Sequence, residues 1–235
     1  MSRVKTGLGQ VVWGVMIWGV LAGQGLAQQR VNPAYADIEE QAGLPRVLLI
    51  GDSISIGYTL GVRQELKGVA NVLRPKTNCA STKTGVAELK KWLGDEKWDV
   101  IHFNFGLHDV KYVVGDKADI VPVTTAGAHR QIALAAYRSN LEEIVQQLKQ
   151  TGATLVWCST TPVAAKTTGR RTEDVIEYNA VALEIMEAND IAVDDLYAFA
   201  LERLSEIQRP RNVHFTAEGS AILAKRVAEV IREKL

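Results

Sequence analysis

Short apolar segments alternate with longer amphipathic ones along residues 46–235, and this alternation limits the possible folds more than any other feature. It predicts five strands, at 47–50, 70–73, 100–105, 154–159 and 191–193. It also predicts six helices, at 57–66, 86–93, 133–150, 173–189, 196–207 and 217–235. Because such alternation is typical of a parallel sheet with helices on both faces, we expect an α/β fold.

Composition sets the size of the core and excludes one class of partner. The 235 residues, 47% of them hydrophobic and 23% charged, provide for one core, so we expect one domain. Lys and Arg together number 27, equal to the 27 Asp and Glu, with no basic stripe. The chain is therefore not expected to bind nucleic acid.

The first 27 residues have the pattern of a secretory signal peptide. Arg3 and Lys5 precede an apolar run at 11–22, and small residues suit cleavage after Ala27. The alternative is an uncleaved membrane anchor, but a spanning helix needs about 20 apolar residues. We expect residues 1–27 to be removed and the mature protein to be periplasmic or extracellular, without stable membrane insertion.

The remaining chain divides into two parts. Residues 28–45 contain prolines, a glycine and no clear period, and are predicted to be an N-terminal surface segment; residues 46–235 form the predicted domain. The longest aperiodic loop, at 107–130, has a length that is often functional. Cys79 and Cys158 are expected to stay unpaired, because the sheet would hold them about three strands apart.

A serine follows the first predicted strand at an abrupt turn. The apolar run 47–50 ends at Gly51-Asp52-Ser53, so the Ser53 hydroxyl is placed at the carboxyl end of a strand. In open α/β sheets ligands bind at this edge. The alternative is that Ser53 only caps the following helix.

A histidine precedes the last predicted helix. His214 lies in the loop before it, with Thr216 as the expected N-cap. Since a serine needs a neighbouring base to become a nucleophile, His214 is a candidate partner for Ser53. The alternative is an ordinary loop histidine.

The third block of interest ends the middle strand. Asn104 and His108 are possible hydrogen-bond donors beside the serine, and Gly106 allows a ligand close to the backbone. The alternative is a simple turn in which Asp109 caps the next element.

Metals and cofactors have no support in the sequence. The histidines at 102, 108, 129 and 214 show no zinc-site spacing, and His102 is expected to pack inside a strand. Glycine-rich nucleotide loops are also missing from the sequence. We therefore expect no metal and no cofactor.

Together these blocks resemble the SGNH, or GDSL, hydrolase superfamily over residues 46–235. The matching segments are Gly51-Asp52-Ser53, Gly106-Leu107-His108-Asp109 and the stretch ending at His214-Phe215-Thr216. The resemblance implies a flavodoxin-like three-layer α/β/α sandwich with a five-stranded parallel sheet of order 2-1-3-4-5. It also implies that Ser53 is the nucleophile and His214 the general base.

The sequence departs from the family pattern at three positions. Ala80 is the nearest counterpart of the family's glycine whose backbone N–H helps form the oxyanion hole, and His108 replaces the family's asparagine. The resemblance implies that the N–H groups of Ser53 and Ala80 and the His108 side chain form that hole. Arg211 replaces the aspartate three residues before His214, so a backbone carbonyl, Asp109 or Glu206 would have to orient the imidazole. Asp52, Asn104, Asp109 and Arg211 are therefore candidates for supporting roles.

The resulting expectation is an exported serine esterase that acts through an acyl-enzyme, with a carbohydrate acetyl ester as substrate. One alternative is a lipase or thioesterase of the same fold. The other is an inactive carbohydrate-binding relative, suggested by Arg211 and His108.

Overall fold

Five parallel strands form the central sheet of this computed structural model, which describes residues 1, 32–117 and 119–235. They are β1 (Arg46–Ile50), β2 (Asn71–Leu73), β3 (Val100–Phe103), β6 (Thr154–Cys158) and β7 (Ala192–Asp194). Their order is β2-β1-β3-β6-β7, which confirms the predicted order 2-1-3-4-5 for the five predicted strands.

Helices cover both faces of the sheet, as predicted. One face is covered by α1 (Ser53–Glu65), α5 (Leu196–Leu201), α6 (Leu204–Ile207) and α7 (Ala217–Arg232). The other is covered by α2 (Thr82–Leu93), α3 (Leu134–Lys149) and α4 (Thr172–Ala188). The fold is therefore a three-layer α/β/α sandwich.

Two helices begin earlier than their apolar period suggested. α1 starts at Ser53 and not at residue 57, and α2 starts at Thr82 and not at residue 86. Side chains that accept hydrogen bonds from the first N–H groups make these early starts possible, and such contacts leave no hydrophobic period.

The loop at 107–130 contains an antiparallel hairpin that was not predicted. Its strands are β4 (Tyr112–Val114) and β5 (Ala128–Arg130), paired from Tyr112 with Arg130 to Val114 with Ala128. Each strand is only three residues long, too short to show alternation. The helix predicted at 196–207 is also divided, into α5 and α6.

The core lies on both faces of the sheet. Strand residues such as Val47, Leu49 and Ile101 have no exposed surface, and the largest fully buried side chain is Trp157. Both cysteines are free and buried, in agreement with the expectation that they do not pair.

The described part of the N-terminal segment lies against the sheet edge and α1. Gln41 exchanges two hydrogen bonds with the Asn71 side chain in β2, and Ala34 is buried. The predicted signal peptide at 1–27 lies, apart from Met1, outside the described residues. In the described part of the chain, every helix falls short of the length and apolarity needed to cross a bilayer.

Candidate active site

Ser53 is the first residue of α1, directly after the turn that ends β1. Asp52, and not Ser53, caps the helix, since its Oδ1 accepts a hydrogen bond from the N–H of Ile54 at 2.9 Å. Gly51 permits the tight turn, because a Cβ there would lie 2.8 Å from the Cβ of Ser55. The serine hydroxyl therefore lies at the carboxyl end of the sheet, beside N–H groups that open a helix.

The loop before α7 brings His214 to the serine. Nε2 of His214 lies 2.9 Å from Oγ of Ser53, although 161 positions separate the two residues. Close packing of α1 on α7 makes this contact possible. A Cβ on Gly61 would lie only 2.5 Å from the Cβ of Ala224, so glycine allows the two helices to approach. The two residues that the sequence paired are thus brought together.

Asn212 holds the other side of the imidazole. Its Oδ1 accepts a hydrogen bond from the backbone N–H of His214 at 2.9 Å and lies 2.8 Å from Nδ1 of the same residue. Because a backbone N–H can only donate, the amide oxygen must face His214, and Nδ1 must carry the proton that it donates. Nε2 is then unprotonated and accepts the hydrogen bond from Ser53.

Sequence reasoning missed Asn212, because it looked for a carboxylate three residues before His214. The orienting group is neither Asp109, Glu206 nor a backbone carbonyl, but an amide two residues earlier. An Asn whose side chain bonds the N–H two residues later forms an Asx turn. The spacing from Asn212 to His214 is the signal that could have identified it.

Arg211 directly precedes Asn212, but its side chain points to solvent. Its side chain is exposed, and its backbone has φ 52°. The arginines whose charges act on the imidazole are Arg209 and Arg170. Arg211 is therefore part of the turn that sets the position of Asn212.

The pKa of His214 is lower than is usual for histidine. Burial is the main cause, the positive charges of Arg209 and Arg170 act in the same direction, and Asp52 opposes them. Since the ordinary value is about 6.5, the imidazole is neutral at pH 7. It is therefore in the protonation state that a general base requires.

The predicted donors of the oxyanion hole differ in availability. Ala80 has φ 54°, a left-handed conformation that glycine adopts more easily, and its N–H donates to Oδ1 of Asn78 at 2.9 Å. A substrate can use this N–H only after Asn78 moves. Burial is the main cause that lowers the pKa of His108, so this imidazole is neutral at pH 7 and can donate one hydrogen bond.

Asn104 does not offer a free donor beside the serine. Its Nδ2 donates to the carbonyl oxygen of Cys158 at 2.7 Å and to Oγ1 of Thr160 at 3.2 Å. Both amide hydrogens are therefore used to join the ends of β3 and β6. Asn104 was expected to donate a hydrogen bond beside the serine, but in the structure it connects two strand ends at the sheet edge.

Asp109 caps α2 and does not contact His214. Its Oδ1 accepts hydrogen bonds from the N–H of Thr82 at 3.0 Å and from Oγ1 of Thr82 at 2.6 Å. Burial raises the pKa of this carboxyl to about 7. The structure thus corrects the suggestion that Asp109 orients the imidazole, and Glu206 is exposed in α6.

Arg74 is a structural residue that sequence reasoning did not identify. It is buried and links α1 to the loop before α2. Its Nη1 and Nη2 groups donate hydrogen bonds to Ser55 Oγ, Thr59 Oγ1, Gly51 O and Thr77 O. These bonds fix the loop that carries Ala80 relative to the helix that carries Ser53.

Three side chains among the described residues have donor atoms close enough to share a metal ion. These atoms, from His102, Cys158 and Asp194, lie within 4.8 Å of one another. Asp194 already accepts from Arg226 at 3.2 Å and lies 3.1 Å from Nε2 of His102. Burial raises the pKa of the Cys158 thiol well above its usual value, which keeps it protonated. The group is therefore a hydrogen-bonded core cluster.

Comparison with solved structures agrees with the fold. A lipase/acylhydrolase from Enterococcus faecalis is 22% identical with a TM-score of 0.66, covering 82% of this chain and 97% of its own. Axe2, an acetylxylan esterase from Geobacillus stearothermophilus, is 18% identical with a TM-score of 0.63, covering 83% and 96%. TesA is 18% identical with a TM-score of 0.60, covering 81% and 99%.

Comparison with protein families identifies the chain more directly. Residues 49–222, more than half of the chain, match the GDSL-like Lipase/Acylhydrolase family. This range includes both Ser53 and His214. A comparison with curated proteins finds no match. The chain therefore belongs to the GDSL-like lipase/acylhydrolase family and is a hydrolase of ester bonds.

Proposed function

We propose that this protein is an exported serine esterase that removes acetyl groups from carbohydrate. The observation that carries the proposal is the 2.9 Å contact between Ser53 Oγ and His214 Nε2. The hydrogen bond from Nδ1 to Asn212 fixes the tautomer in which Nε2 can take a proton. A serine beside an oriented neutral imidazole is the arrangement that nucleophilic ester cleavage requires.

The reaction proceeds in two halves. Ser53 Oγ attacks the ester carbonyl carbon while its proton passes to Nε2 of His214. The tetrahedral intermediate collapses, and the alcohol leaves with that proton. Water then attacks the acetyl-serine and gives one proton to His214, which returns it to Ser53 as acetic acid leaves; the acid then ionises to acetate in solution.

In this proposal two donors stabilise the oxyanion. The N–H of Ser53 opens α1, and the neutral imidazole of His108 supplies a second hydrogen bond. The N–H of Ala80 becomes a third donor when Asn78 turns away. Donors of this kind lower the barrier because charge develops on the carbonyl oxygen only during reaction.

The choice of a short acyl group rests on the polar character of the loop at 107–130. Asp116, Lys117 and Asp119 in this loop are exposed. A groove that binds a long acyl chain needs an apolar lining. The loop therefore supports an acetyl ester over the lipid or thioester alternative.

The proposal that the substrate is a carbohydrate rests on similarity to two solved structures. Axe2 is described as an acetylxylan esterase, and a second neighbour, AlAXEase, as an acetyl xylan esterase. Export rests on the N-terminal pattern of Arg3, Lys5 and the apolar run at 11–22. Expression of the full chain with mass analysis of the secreted product tests this part, and a mature start at Gln28 is expected.

Hydrolysis of 4-nitrophenyl acetate tests the enzyme assignment. We expect Ser53→Ala to lower kcat by at least about 10⁴-fold while the protein remains folded. Ser139→Ala removes an exposed serine from α3 and is the matched control, which should keep full activity. Activity that survives in purified Ser53→Ala would show that Ser53 is not the nucleophile.

Two further assays separate the alternatives. Across 4-nitrophenyl esters of increasing chain length, kcat/KM should be highest for acetate and should fall as the acyl chain grows. A maximum at long chains would favour a lipase or thioesterase. Acetate release from a panel of acetylated polysaccharides should identify the carbohydrate, and binding without any release would favour the inactive relative.

A further inference from the structure

Arg170 is held beside the candidate active site by two hydrogen bonds that involve backbone groups. Its Nε donates a hydrogen bond to the carbonyl oxygen of Leu107 at 2.8 Å, next to His108. The preceding residue, Gly169, accepts a hydrogen bond from the N–H of Tyr112 in β4 at 2.8 Å. The hairpin that was missed from the sequence thus fixes the segment that carries Arg170.

Among the described residues, Arg170 forms no ion pair. Its Nη1 and Nη2 groups make no hydrogen bond with any of them. Asp52 is the acidic group whose charge acts on Arg170, but its Oδ1 caps α1 and its carboxylate makes no direct contact with the guanidinium. A half-buried guanidinium without an ion pair is costly, because it has lost water without gaining an anion.

The buried Arg74 shows what a structural arginine of this fold looks like. Its guanidinium bonds four oxygen atoms of α1 and the neighbouring loops through Nη1 and Nη2. Arg170 has only the Nε contact, so the two Nη groups that pair best with planar anions remain available.

The charge of Arg170 acts on three ionisable groups of the candidate site. Burial is the main cause that lowers the pKa of His214, His108 and Lys111, and the charge of Arg170 lowers each of them further. Arg170 therefore lies close enough to act on both histidines at the reacting ester. A guanidinium in this position attracts an anionic group of a substrate.

We propose that Arg170 binds a carboxylate or sulfate group on the alcohol half of the ester, so that the substrate is an acetylated acidic sugar. This inference rests on the proposed acetylesterase function, since an acetyl group itself has no anionic substituent. Arginine pairs with either anion through two parallel hydrogen bonds. Arg170 would then select the substrate by its charge and position it for Ser53.

Matched pairs of small esters test the proposal. We would compare kcat/KM for acetylated glucuronate and acetylated glucose 6-sulfate with that for acetylated methyl glucoside. The proteins are the unchanged chain, Arg170→Gln and Arg170→Lys, with Arg138→Gln as control. Arg138 is partly exposed on α3 and pairs with Glu184, on the face of the sheet opposite to α1. Circular dichroism confirms that each variant is folded.

The unchanged chain should prefer at least one anionic ester by about tenfold or more. In Arg170→Gln the ratio of anionic to neutral kcat/KM should approach one, mainly through a higher KM, and Arg170→Lys should recover part of it. Arg138→Gln should keep the full ratio. Equal turnover of the neutral and both anionic esters by the unchanged chain would overturn the proposal, as would a ratio that survives in Arg170→Gln.

A binding measurement separates this proposal from the esterase assignment. Ser53→Ala should bind the preferred anionic ester in calorimetry, and Ser53→Ala with Arg170→Gln should bind it about tenfold more weakly. Equal binding by the two proteins would refute the role of Arg170. Binding that depends on Arg170 but is followed by no hydrolysis in the unchanged chain would refute the esterase and retain the anion site.

Discussion

His102 and His214 both lie within hydrogen-bond distance of a polar side chain, but only one of them lies beside a serine. Nε2 of His102 lies 3.1 Å from Oδ2 of Asp194, which also accepts from Arg226, and the exposed fraction of both His102 and Asp194 is 0%. Nε2 of His214 faces Ser53 in a half-buried loop, and its Nδ1 faces the neutral amide of Asn212.

The difference shows that a carboxylate beside a histidine does not by itself mark a catalytic pair. The interior group, His102 with Asp194 and Arg226, has a carboxylate but is closed to substrate. Its hydrogen bonds connect β3 and β7 to α7. The edge group, Ser53 with His214 and Asn212, has no carboxylate bonded to its histidine, but it has a nucleophile that a substrate can reach. An amide fixes the tautomer of His214, while it contributes no charge to stabilise the imidazolium.

The largest expected effect separates the two histidines. His214→Ala should lower kcat by about 10⁴-fold with little change in the free energy of unfolding, because it removes the base from a half-buried loop. His102→Ala should cost about 3–5 kcal/mol of that free energy, because Asp194 loses its buried partner. Kinetics with 4-nitrophenyl acetate and urea unfolding measure both. Folded His102→Ala without activity would contradict the separation.

Removal of the amide should have the next largest effect. Asn212→Ala leaves His214 free to rotate and to change tautomer, so kcat should fall by about 10²-fold with little change in KM. Asn189→Ala is the control, since Asn189 bonds the Ile185 carbonyl at the end of α4, far from the serine in the fold. A fall of less than about twofold in the Asn212 variant would show that the imidazole needs no side-chain partner.

Replacement of the amide by a carboxylate should make the edge group resemble the interior one. In Asn212→Asp a negative charge would lie against Nδ1, favour the imidazolium and raise the pKa of His214 by about one unit. The neutral base would then be lost at a higher pH, so the acidic limb of the kcat/KM profile should move to higher pH. A downward shift or no shift would contradict the contact between residue 212 and the imidazole.

The smallest effect is expected at the neighbouring arginines. Arg211→Ala should keep kcat/KM within about tenfold, or about 1.4 kcal/mol of barrier, because this side chain points to solvent. Arg209→Gln should raise the pKa of His214 slightly, since the charge of Arg209 helps to lower it. A loss of several orders of magnitude in folded Arg211→Ala would place Arg211 in the chemistry.

Much of the fold could be predicted from local pattern. The five strands are apolar segments bounded by turn residues, and their order followed from the family that Gly51, Asp52 and Ser53 indicated. Helix starts were predicted less well, because the hydrogen bond from Ile54 to Asp52 and those from Thr82 to Asp109 leave no apolar period. The hairpin of β4 and β5 was missed because its pairing joins short segments across a long loop.

The amino-acid sequence by itself determined the α/β class, the family and the residues Ser53 and His214, because alternation and short motifs are local in the chain. Only the tertiary structure decided the partner of His214, since Oδ1 of Asn212 lies 2.8 Å from Nδ1 while the side chain of Arg211 is exposed. It also decided that Arg170, from a segment after β6, bonds the Leu107 carbonyl oxygen next to His108 and forms no ion pair with any described residue. Both outcomes depend on backbone angles and on contacts between distant segments, which a linear pattern does not record.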